Sequence, residues 1–177
     1  MDNKLTTTEL HEIFLAALDE KVKIYSDIHE KPLMVELCHP FPLKLKVYLF
    51  NITNPPGGRQ AGECKCQIIL PGQKRGEKGH IDLEPDCITL LMGFCTVTNN
   101  INDGVFVIWD CNMHRTPAFS ANIQVHISSL LEALTRGVFS QKKRGNGEVI
   151  VLSRPNYLLD AIKMRFEIDC EKLMGDD

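Results

Sequence analysis

The sequence predicts a mainly β, barrel-like domain braced by a helix at each end, on three observations. From Leu33 to Pro155, short runs rich in β-branched and aromatic residues alternate with turn residues, the pattern of an all-β unit. Apolar residues fall at helical spacing only near the two ends and in one short internal segment. No apolar run approaches the roughly 18 residues that a membrane span needs. With 177 residues, 44% of them hydrophobic and 24% charged, the chain suits a single soluble domain able to bury a real core. The expected organisation is a helical extension over 1–32, a β-barrel-like domain over 33–155 and a packing helix over 156–177.

Thr6–Asp27 reads as the first helix, with Thr8 as its cap and Ile13, Phe14, Ala17, Leu18, Lys21 and Ile24 near helical spacing. Seven strands follow: Met34–Cys38, Leu43–Thr53, Gly62–Leu70, Cys87–Val97, Val105–Asp110, Asn122–Ile127 and Glu148–Ser153. Leu43 to Leu49 alternates strictly and predicts a half-buried strand. The continuously apolar Val105-Phe-Val-Ile-Trp predicts a central strand buried on both faces, with Trp109 in the core. Ser128–Phe139 reads as a short helix capped by Ser128 or Ser129, with Leu130, Leu131 and Leu134 as its apolar stripe. Asn156–Met174 reads as the last helix, capped by Asn156.

The net charge of −3 conceals a pattern: residues 1–36 carry −4, residues 156–177 carry −3, and the middle carries +4. A local basic face matters more to a polyanion than the total. The stretch Asn51–Gly79 concentrates the relevant chemistry. Its Pro-Pro-Gly-Gly elbow leads from Asn54 to Arg59 and Gln60, and a second Gly-punctuated loop supplies Lys74, Arg75 and Lys78. Amide and guanidinium tips read base edges, while lysines hold phosphates. After the central strand, a second polar arm offers His114, Arg115, Ser120, Asn122 and Gln124, the last two sharing a strand face. Expected base contacts are therefore Asn54, Arg59, Gln60, His114, Arg115, Ser120, Asn122 and Gln124. Expected phosphate contacts are Lys65, Lys74, Arg75, Lys78, Lys142 and Lys143.

Between the arms, Glu63, Lys65 and Gln67 alternate with Cys64, Cys66 and Ile68, so the polar trio lies on one face. Glu63-Cys-Lys65 matches half of the PD-(D/E)xK nuclease signature, which would bind Mg2+ through a second carboxylate, Glu36 or Asp27. No Pro-Asp dipeptide precedes it. Seven scattered cysteines without paired metal-site spacing predict reduced thiols and a cytoplasmic setting. The N-terminal segment lacks a basic-then-apolar signal pattern. P-loop, Gly-x-Ser-x-Gly and His-Glu-x-x-His motifs are absent, so neither a catalytic site nor a resident cofactor is expected in this chain.

The run Gly57-Gly-Arg-Gln-Ala-Gly-Glu-Cys-Lys-Cys-Gln-Ile-Ile-Leu-Pro-Gly-Gln-Lys-Arg-Gly resembles a segment of restriction-endonuclease specificity subunits. So does the later set Val105-Phe-Val-Ile-Trp-Asp, His114, Phe119-Ser-Ala-Asn-Ile-Gln-Val and Gly147-Glu-Val-Ile-Val. Over residues 33–160 the chain is similar to B3 or EcoRII-N-like DNA-recognition domains, including those of LlaJI-type, McrBC-like systems. That resemblance implies a seven-stranded open pseudobarrel gripping the major groove of double-stranded DNA between two arms. One arm would hold Asn54, Arg59, Gln60 and the strand from Glu63; the other would hold His114, Arg115, Ser120, Asn122 and Gln124. It also implies motor and nuclease parts elsewhere in a restriction complex. The long N-terminal helix departs from the family pattern. The alternatives are a metal-dependent nuclease using Glu63 and Lys65, and a PUA-like reader of RNA or a modified base.

Overall fold

The computed structural model describes residues 4–54, 61–98, 100–143 and 145–175. Among them are nine strands in one open sheet, with three α-helices placed around it. The strands are β1 (Val22–Tyr25), β2 (Leu33–Leu37), β3 (Lys44–Thr53), β4 (Glu63–Ile68), β5 (Ile88–Thr96), β6 (Gly104–Trp109), β7 (Ala121–His126), β8 (Val138–Lys142) and β9 (Val149–Ser153). The helices are α1 (Thr7–Leu18), α2 (Ile127–Arg136) and α3 (Leu158–Gly175). All seven expected strands are present, and β1 and β8 are additional.

The main path runs β1-β2-β3-β5-β6-β9-β8, while β4 leaves the far end of β3 to pair with β7. β3 and β5 run parallel, and every other pairing is antiparallel. β3 serves both branches: its first half pairs with β2, and its last residues, Ile52 and Thr53, pair with Cys66 and Lys65 of β4.

Period-two alternation divides the apolar residues between two cores. Tyr48, Phe50, Leu91, Val107, Trp109 and Leu152 face the barrel interior, where Cys64, Cys66, Ile123 and Val125 join them under α2. Leu45, Val47, Leu49, Met92, Phe106 and Val151 face outward, under α1 and α3. β6 is buried along its whole length, as its apolar run predicts. β3 differs from expectation. From Leu45 to Phe50 it is buried on both faces rather than one, because the barrel fills one side and the helices cover the other. Lys46 lies at the barrel rim, where Nζ donates to Glu84 Oε1 at 2.6 Å and to the Asp82 carbonyl at 3.3 Å.

Gly93 makes room on β5 for the side chains of Ile52 of β3 and Trp109 of β6. A Cβ built there would stand 2.6 Å from Ile52 and 3.0 Å from the Trp109 ring. Four cysteines, Cys64, Cys66, Cys95 and Cys111, are buried. Burial raises the Cys66 thiol well above its ordinary range and pushes Cys95 and Cys111 up to about 12. These thiols are poor nucleophiles and act as small apolar groups.

The ends of all three helices differ from expectation. α1 is capped by Thr6 rather than Thr8, through a capping box. Glu9 N–H donates to Thr6 Oγ1 at 3.2 Å, and Thr6 N–H donates to Glu9 Oε2 at 2.7 Å. α1 also stops at Leu18 instead of reaching Asp27, because Asp19 adopts φ 45° and the chain turns into β1. α2 is capped by His126, whose Nδ1 accepts from Ser128 N–H at 3.2 Å. It ends at Arg136, before Gly137 with φ 85°, which frees Val138–Lys142 to pair with β9. α3 begins at Leu158, after a single 3-10 turn over Pro155–Tyr157. Among the described residues no helix is long and apolar enough to cross a membrane.

Candidate nucleic-acid interface

β4 and β7 lie apart in sequence, yet pair over their whole length. Their inward residues, Cys64, Cys66, Ile68, Ile123 and Val125, are core. Their outward residues stand in register across the ribbon: Glu63 opposite His126, Lys65 opposite Gln124 and Gln67 opposite Asn122. Asn122, Gln124 and His126 are exposed, and Glu63, Lys65 and Gln67 are half-buried. Each strand has six residues and so spans about 17 Å at ~3.4 Å per residue.

Two loops meet at one end of this ribbon. At the end marked by Ile68 and Ala121, the Leu70–His80 segment is hooked onto the loop that precedes β7. Gly79 N–H donates to the Pro117 carbonyl at 2.8 Å, Ile81 N–H to the Arg115 carbonyl at 2.8 Å and Phe119 N–H to the Glu77 carbonyl at 3.1 Å. Gln73 Nε2 also reaches the Pro117 carbonyl, at 3.0 Å. Two turns, with Gly72 at φ 74° and Gly76 at φ 88°, present Lys74, Arg75 and Lys78 to solvent. These backbone bonds therefore tie the phosphate-type cations to the arm that carries Arg115, which is itself exposed. Gln67 Nε2 donates a short hydrogen bond to Ser120 Oγ. Ser120 adopts φ 62°, a left-handed conformation that costs a non-glycine residue about 1 kcal/mol or more.

At the opposite end, Asn54 is exposed, while Arg59 and Gln60 lie outside the described residues. Gly62 leads back into β4 at φ 84°, where a Cβ would meet His126 Nε2 at 2.8 Å. The Gly62 carbonyl accepts from Ile127 N–H at 2.7 Å, joining this corner to the start of α2.

Two expected contacts belong to a different arrangement. Glu148, fully buried, accepts from His114 Nε2 at 2.8 Å, Lys143 Nζ at 3.2 Å and the Asp110 N–H at 3.2 Å. Burial alone would raise its carboxyl, but His114 and Lys143 outweigh that and hold it below the usual range. Asp110 caps the turn Cys111–His114 through Asn112 N–H at 3.0 Å and takes Lys172 Nζ of α3 at 2.5 Å. His114 and Lys143 thus join the loop before β7 to the β8–β9 hairpin, whereas Lys142 is exposed on β8. His126 and Phe119 were not anticipated as site residues. The alternation of Ala121–His126 carries the signal for His126.

Of the two candidates for the second carboxylate of the nuclease alternative, Glu36 lies far from Glu63. Glu36 pairs with Lys44 at one end of β3, and Lys65 pairs with Thr53 at the other. At ~3.3 Å per residue roughly 30 Å of strand lies between them. Glu36 instead pairs with Lys23 at 2.6 Å, and Asp27 accepts from His29 N–H at 2.8 Å. Among the described residues no group of three or more His, Cys, Asp or Glu side chains is placed to hold a metal ion.

Fold and site together define an open, mainly β domain that turns a polar two-stranded ribbon toward solvent. Residues 43–162 match the methylase-associated X1 family, and the chain belongs to that family. The family's description names an association with a methylase, which suggests a restriction-modification-associated role. No curated protein and no solved structure matches the chain.

Proposed function

We propose that the domain is the sequence-specific double-stranded DNA recognition module of a restriction-modification system, with cleavage and motor functions residing elsewhere in the assembly. One observation carries the reading: the in-register ribbon of Lys65, Gln67, Asn122 and Gln124, which share one outward face, half-buried on β4 and exposed on β7. A two-stranded β-ribbon fits the major groove, where Asn and Gln pair bidentately with adenine and Lys with guanine. Arg115 and the 74–78 loop flank the ribbon and supply phosphate contacts, and Asn54 stands exposed toward its other end; Arg59 and Gln60, which follow it in sequence, are assigned to base contacts. Charge placement supports the same orientation. The acidic end segments supply α1 and α3, which meet over the outer core, leaving the more basic middle of the chain to face a polyanion.

Selection of bound duplexes from a randomised library, followed by mobility-shift titration, tests the proposal. One enriched duplex motif is expected; retention of no duplex above background removes the reading. Against the selected site, Gln124→Ala should weaken binding by about 1–3 kcal/mol and relax preference at one position. Lys74→Ala should weaken binding on every sequence alike and reduce the salt slope by about 1. If both variants titrate like the parent, the ribbon does not face DNA.

A further inference from the structure

The groove where the two hooked loops meet has a composition that phosphate contact alone does not require. It is an open groove of about 700 Å³, lined by Arg75, Glu77, Lys78, Ala118, Phe119 and Ser120, with Gly76 completing the wall. Phe119 is its one aromatic residue, and two cations stand at the same rim. Glu77 is turned back into its own loop, where its carboxylate accepts from Lys74 N–H at 3.0 Å. Ser120 is held by Gln67 of the ribbon while its backbone adopts a left-handed φ of 62°, and strain of this kind concentrates at ligand sites. An aromatic ring gains nothing from a base stacked inside a duplex, because both π-faces of that base are already occupied. It gains substantially from an unstacked one. A volume of this size suits a small-molecule-sized guest.

We propose that this groove receives a single nucleotide extruded from the bound duplex, its base against Phe119 and its flanking phosphates against Arg75 and Lys78. The inference rests on the DNA-recognition reading above. Extrusion costs pairing and stacking energy, which stacking on an aromatic side chain offsets in part. Gln67, hydrogen-bonded to a residue of the groove wall, links base reading on the ribbon to capture beside it.

The test uses the full chain and the library-selected duplex, substituted at each position in turn with 5-iodopyrimidines or 8-bromopurines and irradiated. Mass spectrometry then locates the crosslink. One duplex position should crosslink to Phe119, and Phe119→Leu should abolish that crosslink and weaken duplex binding about tenfold, with thermal unfolding unchanged. Ala118→Leu, which fills the groove and leaves Phe119 in place, should also lower the crosslink yield; it serves as the second variant if Phe119→Leu unfolds. The isolated substituted strand provides the comparison arm. Crosslinking to Phe119 from that strand but not from the duplex overturns extrusion. Tight duplex binding with no crosslink to Phe119 at any position overturns the groove assignment and leaves the ribbon reading intact. Absence of duplex binding overturns both.

Discussion

Trp109→Ala should lower the stability of the domain by about 3–5 kcal/mol, the range for deleting a fully buried large aromatic side chain. In a chain of this length that corresponds to a fall in Tm of roughly 6–20 °C. Trp109 is 0% exposed at the end of β6, in register with Leu91 of β5 and against Gly93. Its indole Nε1 also donates to the Gln124 carbonyl at 3.4 Å. The side chain therefore connects the main sheet to the backbone of the ribbon strand that carries Gln124. Trp109→Phe keeps an aromatic body and loses that bond, so it should cost less, about 1–2 kcal/mol. Far-UV circular dichroism melts of the two variants decide the matter, since removing the single tryptophan also removes the fluorescence probe. A loss below about 1 kcal/mol for Trp109→Ala would contradict the packing described.

Glu148→Gln should be the second most damaging change, costing about 3 kcal/mol at neutral pH, because it breaks a buried ion pair and leaves its partners uncompensated. The carboxylate is 0% exposed and joins His114, Lys143 and the Asp110 N–H. The effect should depend on pH with a definite sign. The folded-state pKa lies below its ordinary value of 4.5, so between the two values the unfolded chain binds the extra proton, and stability rises with pH through that window. The advantage of the parent over Glu148→Gln should be complete above about pH 4.5 and disappear as pH falls through the lower, folded value. Denaturant titrations of both proteins across the acid range measure this directly. A difference that stays constant down to the lowest pH at which both fold would show that Glu148 acts by shape and not by charge.

The same residue engages two of the residues expected to contact DNA, His114 and Lys143. His114 and Lys143 look like solvent-facing polar residues in the chain, and Glu148 looks like an ordinary charge at the start of a strand. Only when β6 and β9 pair, with Ile108 opposite Val151, do these segments reach one another and close around a buried carboxylate. Arg115, Asn122 and Gln124, by contrast, remain exposed, as their positions on a turn and an outward strand face imply.

Secondary structure was largely legible because alternation is a property of the local chain. Side chains two apart share a face of any strand, so Glu63-Cys-Lys-Cys-Gln-Ile revealed its polar and apolar sides without reference to a partner. The same reasoning failed where local cues ran on past a real boundary. Lys21 and Ile24 continued the helical spacing of α1, and no glycine or proline announced the turn at Asp19. At Gly137 the stop signal is present, but the helical reading runs on to Phe139 and so takes in the first two residues of β8.

By itself, then, the chain determined which residues alternate, which runs are buried on both faces, and where amides and cations gather. The tertiary structure alone decided that β4 pairs with β7 across two intervening strands, that two loops hook together into a groove, and that Glu148 withdraws a histidine and a lysine. The physical reason is range. Backbone geometry imposes periodicity on neighbours in sequence, whereas the choice of strand partner and the fate of a buried charge depend on how distant segments share one core.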